Sequence, residues 1–243
     1  MKNIRHDYFL AQSFLSRLPI PKNIDYQPER LGYISLYYPI VGAVIGSILA
    51  IIASLLAVVD PLLVAVLLTS IWAIITGALH LDGLADSADA WLGGHGDRQR
   101  IFKIMKDPLL GTAGVVSLVL ILLLKVISLS LLLQSHAYFD IILIVVTARF
   151  AAVALLYLLP AAQQQGLAYQ AKNALPSITP YYLSAVTLIL AVLAPMSLLL
   201  IAIVMYLLRR FMLQSIGGMT GDTLGASIEI VEVVGLLAVS TAF

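Results

Sequence analysis

The sequence predicts an all-α, polytopic integral membrane bundle of about seven transmembrane helices, preceded by one interfacial helix. Three observations carry this. Of 243 residues, 61% are hydrophobic and only 11% charged, against roughly 25% charged in a soluble domain. The apolar residues fall in runs long enough to cross a hydrocarbon core. The charges gather between those runs. The whole chain, 1–243, is expected to be one membrane-embedded unit.

The net charge of +1 singles out no partner, and nothing in the chain suggests nucleic acid. There is no cysteine, which excludes disulfides, thiolate catalysis and thiolate metal sites. Any metal must take oxygen ligands or one of the four histidines. The first residues lack a long apolar core followed by a small-residue cleavage site, so no cleaved signal peptide is expected.

Taken in order, Ile4 to Leu18 repeats its apolar residues with a helical period until Pro19 and Pro21 stop it. It is too short to span; it fits a helix lying in the interface, or one packed on the rest of the protein. Leu31 to Val59 is the first span, with Gly32, Gly42 and Gly46 spaced for close helix contact. Asp60 and Pro61 make a turn. Leu62 to about Ala78 is the second span, about Leu110 to Leu133 the third, and Ala137 to Leu159 the fourth. A polar connection with three consecutive glutamines follows. Tyr181 to about Arg210 holds Pro195 in its middle and is either two short spans or one kinked one. Leu224 to Phe243 is the last span. Trp91, Tyr181 and Tyr182 suit interface anchors.

Basic clusters set the orientation. Lys2, Arg5, Arg17, Lys22 and Arg30 precede span one; Arg98, Arg100, Lys103 and Lys106 follow span two; Lys172 follows span four; Arg209 and Arg210 precede the last. A turn at Pro195 places every cluster on the cytoplasmic side and gives seven spans. The cost is length: Tyr181 to Ala194 makes about 21 Å of helix against a core of about 30 Å.

The most informative stretch is Gly77 to Gly111, GALHLDGLADSADAWLGGHGDRQRIFKIMKDPLLG. On a helix, Asp82, Asp86 and Asp89 fall within about 60° of arc. Three carboxylates on one stripe repel one another, and a divalent cation reverses the sign of that energy. Mg²⁺ prefers hard oxygens, usually one or two carboxylates plus substrate phosphates and water. Arg98, Arg100, Lys103 and Lys106 downstream suit a polyphosphate. The pattern points to metal-assisted chemistry on a phosphorylated substrate at a membrane surface.

A second constellation opens the last helix. Gly218, Thr220 and Gly221 permit close backbone approach, and free N–H groups at a helix start favour anions. Asp222 is either part of the site or a plain N-cap. Glu229 lies two turns further on, about 10 Å deeper. It is either catalytic or a partner of Arg149 or Lys125, both of which sit inside spans and need anions. Arg149 could equally meet an anionic ligand. His80 could be a ligand, a base or a supporting group.

These residues resemble one family. His80, Asp82, Asp86 and Asp89, then Asp97-Arg98, then Ile104-Met105-Lys106-Asp107 with Gly111-Thr112, then Gly218-Met219-Thr220-Gly221-Asp222-Thr223-Leu224-Gly225-Ala226 resemble the cobalamin synthases, known by their reaction as adenosylcobinamide-GDP ribazoletransferases. Phe14 to Pro21 is also similar, and the likeness covers essentially the whole chain. It implies transfer from adenosylcobinamide-GDP to α-ribazole or its 5′-phosphate with release of GMP, Mg²⁺ as cofactor, and a multi-pass protein of the bacterial inner membrane with its site on the cytoplasmic side. A homo-oligomer is compatible with it. On this reading Asp82, Asp86, Asp89 and Asp222 hold one or two Mg²⁺; Lys103, Lys106 and Arg98 or Arg100 neutralise phosphate; and Asp89, Glu229 or His80 takes the hydroxyl proton.

Two alternatives are weaker. The CDP-alcohol phosphotransferase pattern DGxxAR…GxxxD…D is not met, because Ala85 is followed by Asp86. A cation transporter would place its carboxylates nearer mid-membrane and show an inverted repeat.

Overall fold

The computed structural model describes residues 4–240, and among them every regular element is a helix, with one isolated bridge between Ala161 and Met219. The ends of the chain, including Lys2 and the expected finish of the last span at 241–243, lie outside the described residues.

Helix α1 (Ile4–Leu15) buries Asp7, Leu10, Ala11, Gln12 and Leu15 against the bundle, so one of its faces packs on protein. Asp7 pairs with Arg30 at the entrance to α2 (Leu31–Ser35). Helix α3 (Tyr38–Leu55) begins with Pro39 in its first turn, where the missing N–H costs nothing. The first apolar run is therefore divided, and only its second part makes a span. In α4 (Pro61–Thr76), the Asp60 side chain accepts from the N–H groups of Leu62 and Leu63, 3.0 Å each, and Pro61 follows the cap.

Helix α4 does not run on into the aspartates. Gly77 and Ala78 both adopt left-handed backbone, and the chain turns by 88° into α5 (Leu79–Gly94). Asp97 caps the short α6 (Arg98–Ile104). Then come α7 (Thr112–Gln134), α8 (Tyr138–Leu158), the short α9 (Leu167–Asn173), α10 (Thr179–Leu193), α11 (Pro195–Ile216) and α12 (Gly221–Ser240).

Helix α8 is the central post, buried along most of its length. Helix α3 lies directly on it: a Cβ at Gly42 would sit 2.9 Å from the Val145 carbonyl oxygen, and one at Gly46 2.8 Å from the Ile142 Cα. The glycine spacing seen in the sequence is thus a backbone-to-backbone contact.

Among the described residues, five helices are by themselves long and apolar enough to cross: α3, α7, α8, most of α11, and α12. The bent pair α4–α5 makes a sixth only if taken together. The expected second span ends at 16 residues because two left-handed residues close it, leaving about 24 Å against a core of about 30 Å. Helix α10, with 15 residues, is also short. The chain does fold back at Ala194: residues of α10 from Pro180 to Ala191 and of α11 from Pro195 to Met205 enclose one cavity of about 890 Å³ with Thr147 to Leu158 of α8. A continuous helix over Pro180 to Met205 would run about 37 Å, more than twice the stretch of α8 it faces. Helix α5, with three aspartates and exposed Trp91 and Leu92, carries its acidic part outside the spanning helices.

Ala78 is exposed and holds a left-handed φ of 55°, which costs a non-glycine residue about 1–2 kcal/mol. Ala78→Gly is expected to stabilise the protein by up to about 1 kcal/mol, read as a higher melting temperature in detergent.

Candidate active site

The acidic site is made where α5 lies on the first turn of α12. Gly83 permits the contact: a Cβ there would sit 2.7 Å from the Asp222 carbonyl oxygen and 3.0 Å from its Cα. One turn back, a Cβ on Gly225 would meet the His80 backbone at 3.4 Å. These approaches set Asp82 and Asp86 of α5 beside Asp222 of α12. Asp82 is exposed, while Asp86 and Asp222 are half-buried. Burial, with the carboxylates of Asp82, Asp222 and Asp89 around it, pushes the Asp86 carboxyl up to about 6.

Asp222 is free for this because it is not the cap of α12. Thr220 and Thr223 cap one another: the Thr223 N–H donates to the Thr220 hydroxyl at 3.2 Å, and the Thr220 N–H to the Thr223 hydroxyl at 2.9 Å. The loop before this helix is held by the N–H of Met219 donating to Pro160 O and that of Ala162 to Met219 O, 2.9 Å each. Gly218 packs so closely there that a Cβ would lie 2.3 Å from Pro160 O. Gly218 thus serves the loop, whereas Thr220 and Gly221 line a polar cleft. That cleft, of about 240 Å³, is also lined by Asp222, Lys106, Gln163 and Tyr169.

Residues 7–240 match the cobalamin-5-phosphate synthase family. The chain belongs to that family. The adenosylcobinamide-GDP ribazoletransferase of Pseudomonas savastanoi pv. phaseolicola is 41% identical over 238 residues, covering 96% of this chain and 98% of its own. Those of Pseudomonas putida (41% over 243 residues, 97% and 98%) and Acinetobacter baumannii strain ATCC 17978 (38% over 232 residues, 93% and 94%) are similar. No solved structure matches. The chain is accordingly a transferase enzyme and a multi-pass membrane protein, and these relatives lend no support to the lipid-phosphotransferase or transporter alternatives.

For this synthase, the structure gives several expected site residues other surroundings. Asp89 was expected to join Asp82 and Asp86 on a metal, or to act as the base. Both its oxygens instead accept backbone N–H groups at the start of α7, from Gly111 at 2.7 Å and Gly114 at 2.8 Å. A Cβ on either glycine would lie 2.4 Å from an Asp89 oxygen. Arg98 donates to Ala162 O at 2.9 Å and covers Gly217, so it fastens the loops rather than facing the cleft. Arg100 and Lys103 are exposed on α6, outside the lining of the cleft; Lys106 is the basic residue that reaches it.

Arg149 and Glu229 belong to a separate buried group. Lys125 donates to Glu229 at 2.7 Å and to Glu232 at 2.6 Å; Arg149, fully buried, pairs with Glu232. The Lys125 ammonium also lies 4.4 Å from the centre of the Trp72 ring. Two cations and two anions balance here, which gives Arg149 and Glu229 the ion-pair partners that the sequence allowed as one reading of each. His80 is buried, and neither ring nitrogen has a hydrogen-bond partner. Sequence reasoning passed over Glu232, Gln163 and Tyr169; the run of three glutamines before Gly166 was the available signal for the cleft loop.

Among the described residues, no three His, Asp or Glu side chains stand close enough to hold an ion by themselves. Asp89 is tied to its amides, so the stripe of three is not a ready-made cage. Asp82, Asp86 and Asp222 still fit Mg²⁺, which uses one or two carboxylates and completes its shell with water and substrate phosphate. Burial raises the Asp86 carboxyl most, and the neighbouring carboxylates add to it a negative charge that a cation would relieve.

Asp86 binds its proton more tightly when folded, at about 6 against 3.8 unperturbed, so its ionised form destabilises the fold above pH 6, and that penalty fades as the pH falls towards 4. In metal-free protein, Asp86→Asn is expected to raise the melting temperature by a few degrees at pH 8 and to lose the gain near pH 4, as thermal unfolding at the two pH values will show.

Proposed function

We propose that this chain joins adenosylcobinamide-GDP to α-ribazole or its 5′-phosphate, at the cytoplasmic face of a bacterial inner membrane, with Mg²⁺ as cofactor. The observation that carries the proposal is the meeting of Asp82, Asp86 and Asp222 from two helices beside the cleft that holds Lys106. The family match and the printed names of the relatives support the substrates. The placement of Arg5, Arg17, Lys22, Arg30, Arg98, Arg100, Lys103 and Lys106 outside the spans supports the cytoplasmic side.

In the transfer, a ribose hydroxyl of the acceptor attacks the phosphorus that carries the cobinamide. The new P–O bond forms, the bond between the two phosphorus atoms' bridging oxygen and that phosphorus breaks, and GMP leaves. The hydroxyl proton goes to a carboxylate of the acidic group. Such transfer is mostly positioning and charge neutralisation. Asp82, Asp86 and Asp222 would hold Mg²⁺, which when bound neutralises the diphosphate and the charge developing on its bridging oxygen. Lys106 adds a cation in the lining of the same cleft, and the first N–H groups of α12, around Gly221, present partial positive charge to the phosphate. The α12 cap at Thr220 and the Gly83 contact keep these groups in register.

With purified protein in detergent, GMP release is expected to require both substrates and Mg²⁺. Asp82→Asn and Asp222→Asn are each expected to lower turnover at least about 100-fold, equivalent to roughly 2.7 kcal/mol of barrier. Asp89→Asn should act chiefly through the start of α7, lowering thermal stability. Unchanged turnover and Mg²⁺ dependence in Asp82→Asn would overturn the site assignment.

A further inference from the structure

A second cavity, of about 370 Å³, adjoins the polar cleft and falls within the range of roughly 300–1,000 Å³ typical of small-molecule sites. The two share Leu167, Ala168 and Gly221 in their walls, so they meet at the first residue of α12, next to Asp222. Their chemistry differs. The outer cleft is polar and carries Lys106 and Asp222. The inner cavity is walled largely by Phe14, Tyr38, Leu156, Leu224 and Ile228, aromatic and aliphatic groups that would meet a flat apolar ring system, with Ser13 and the exposed Arg17 also in its lining. One polar group in that wall is buried and unsatisfied: His80 is 4% exposed, and neither ring nitrogen has a partner. A buried imidazole without a hydrogen bond costs free energy unless a ligand supplies one.

We infer that this inner cavity binds the aromatic base of the acceptor nucleoside, with His80 donating a hydrogen bond to the base's free ring nitrogen. The inference rests on the transferase reading above and assigns that reading's second substrate to a place. The acceptor is a riboside of dimethylbenzimidazole, an apolar two-ring base with one ring nitrogen bonded to ribose and the other free as an acceptor. It matches a largely apolar cavity in which His80 is the buried unpartnered group and Arg17 is exposed. The guanosine diphosphate portion, charged and rich in donors, matches the polar cleft instead. With the base inside, the ribose projects past Gly221 towards Asp222, which is where its hydroxyl must be to attack. The corrin ring is too large for either space and stays outside, with only its phosphate arm entering. The same arrangement explains why Gly221 is bare: a Cβ there would meet nothing within 4 Å and would project into open space at the junction.

Two measurements test this. In the first, unmodified protein is irradiated with an azidobenzimidazole riboside, and the labelled peptides are mapped. Label on Ala152 to Leu156, on Ala171, or on Leu224 to Ile228, suppressed by excess α-ribazole, is the expected result. Label on α10 or α11, or on Gln163, Gln165 or Tyr169 alone, overturns the inference. In the second, GMP release is measured with α-ribazole and with the matching indole riboside, which lacks the free ring nitrogen. The unmodified protein should prefer α-ribazole at least tenfold in kcat/KM. His80→Leu should erase that preference, His80→Gln should restore part of it, and the KM for adenosylcobinamide-GDP should stay within about twofold throughout. A preference that survives in His80→Leu, or a change confined to the KM for adenosylcobinamide-GDP, assigns the cavity elsewhere. Absence of GMP release by the unmodified protein with both natural substrates and Mg²⁺ would sink the transferase reading itself, which the labelling result would not by itself do.

Discussion

Everything at the acidic site depends on how closely α5 can approach α12. The Asp222 backbone occupies the place where a side chain on residue 83 would begin. Glycine is the residue that lets two helices carrying like charges come this near, and the approach works against Coulomb repulsion. Burial, and after it the like carboxylates, raise the proton affinity of Asp86. The repulsion is therefore a stored cost that packing elsewhere must meet, and it falls when a cation binds.

The packing that meets it lies deeper in the bundle. Glu229 and Glu232 of α12 are held by Lys125 of α7 and Arg149 of α8, with Trp72 of α4 under the lysine. Such a group contributes little net stability over a well-packed apolar core, but losing one member strands the others at about 3–5 kcal/mol. Its effect is positional: only one rotation and one depth of α12 satisfy all four charges. That rotation presents Asp222 to Gly83 and Gly221 to the junction of the two cavities. The distinction between charges that hold the scaffold and charges that face water, Asp82, Asp86, Asp222 and Lys106, is what gives the molecule a site at all.

Much of this was legible in the sequence. The apolar runs gave the membrane bundle, and Gly42 and Gly46 marked the α3–α8 contact because small residues at that spacing have few other uses. Asp82 and Asp86 stood out because nothing in folding asks for them, while Asp222 stood beside them with a plain N-cap as its other reading. What was hidden is non-local. Asp89 looks like its neighbours on the helical stripe, yet the amides it accepts from lie 22 and 25 residues away, at the start of another helix. Arg149 looked free because its partner, Glu232, is 83 residues distant. The expected second span ended at about Ala78, but the 88° bend there was concealed, because alanine has no preference for left-handed backbone. Thr220 took the cap that sequence logic allowed Asp222, since either can fill that position.

The most direct test of the two-helix acidic site is the binding of Mn²⁺, as a paramagnetic substitute for Mg²⁺, followed by electron paramagnetic resonance in detergent. The carboxylates alone do not make a cage, so tight Mn²⁺ binding is predicted to appear only with adenosylcobinamide-GDP present, and to be lost in both Asp82→Asn and Asp222→Asn while persisting in Asp89→Asn. Equal binding without the diphosphate, or binding that survives in Asp222→Asn and fails in Asp89→Asn, would contradict the account.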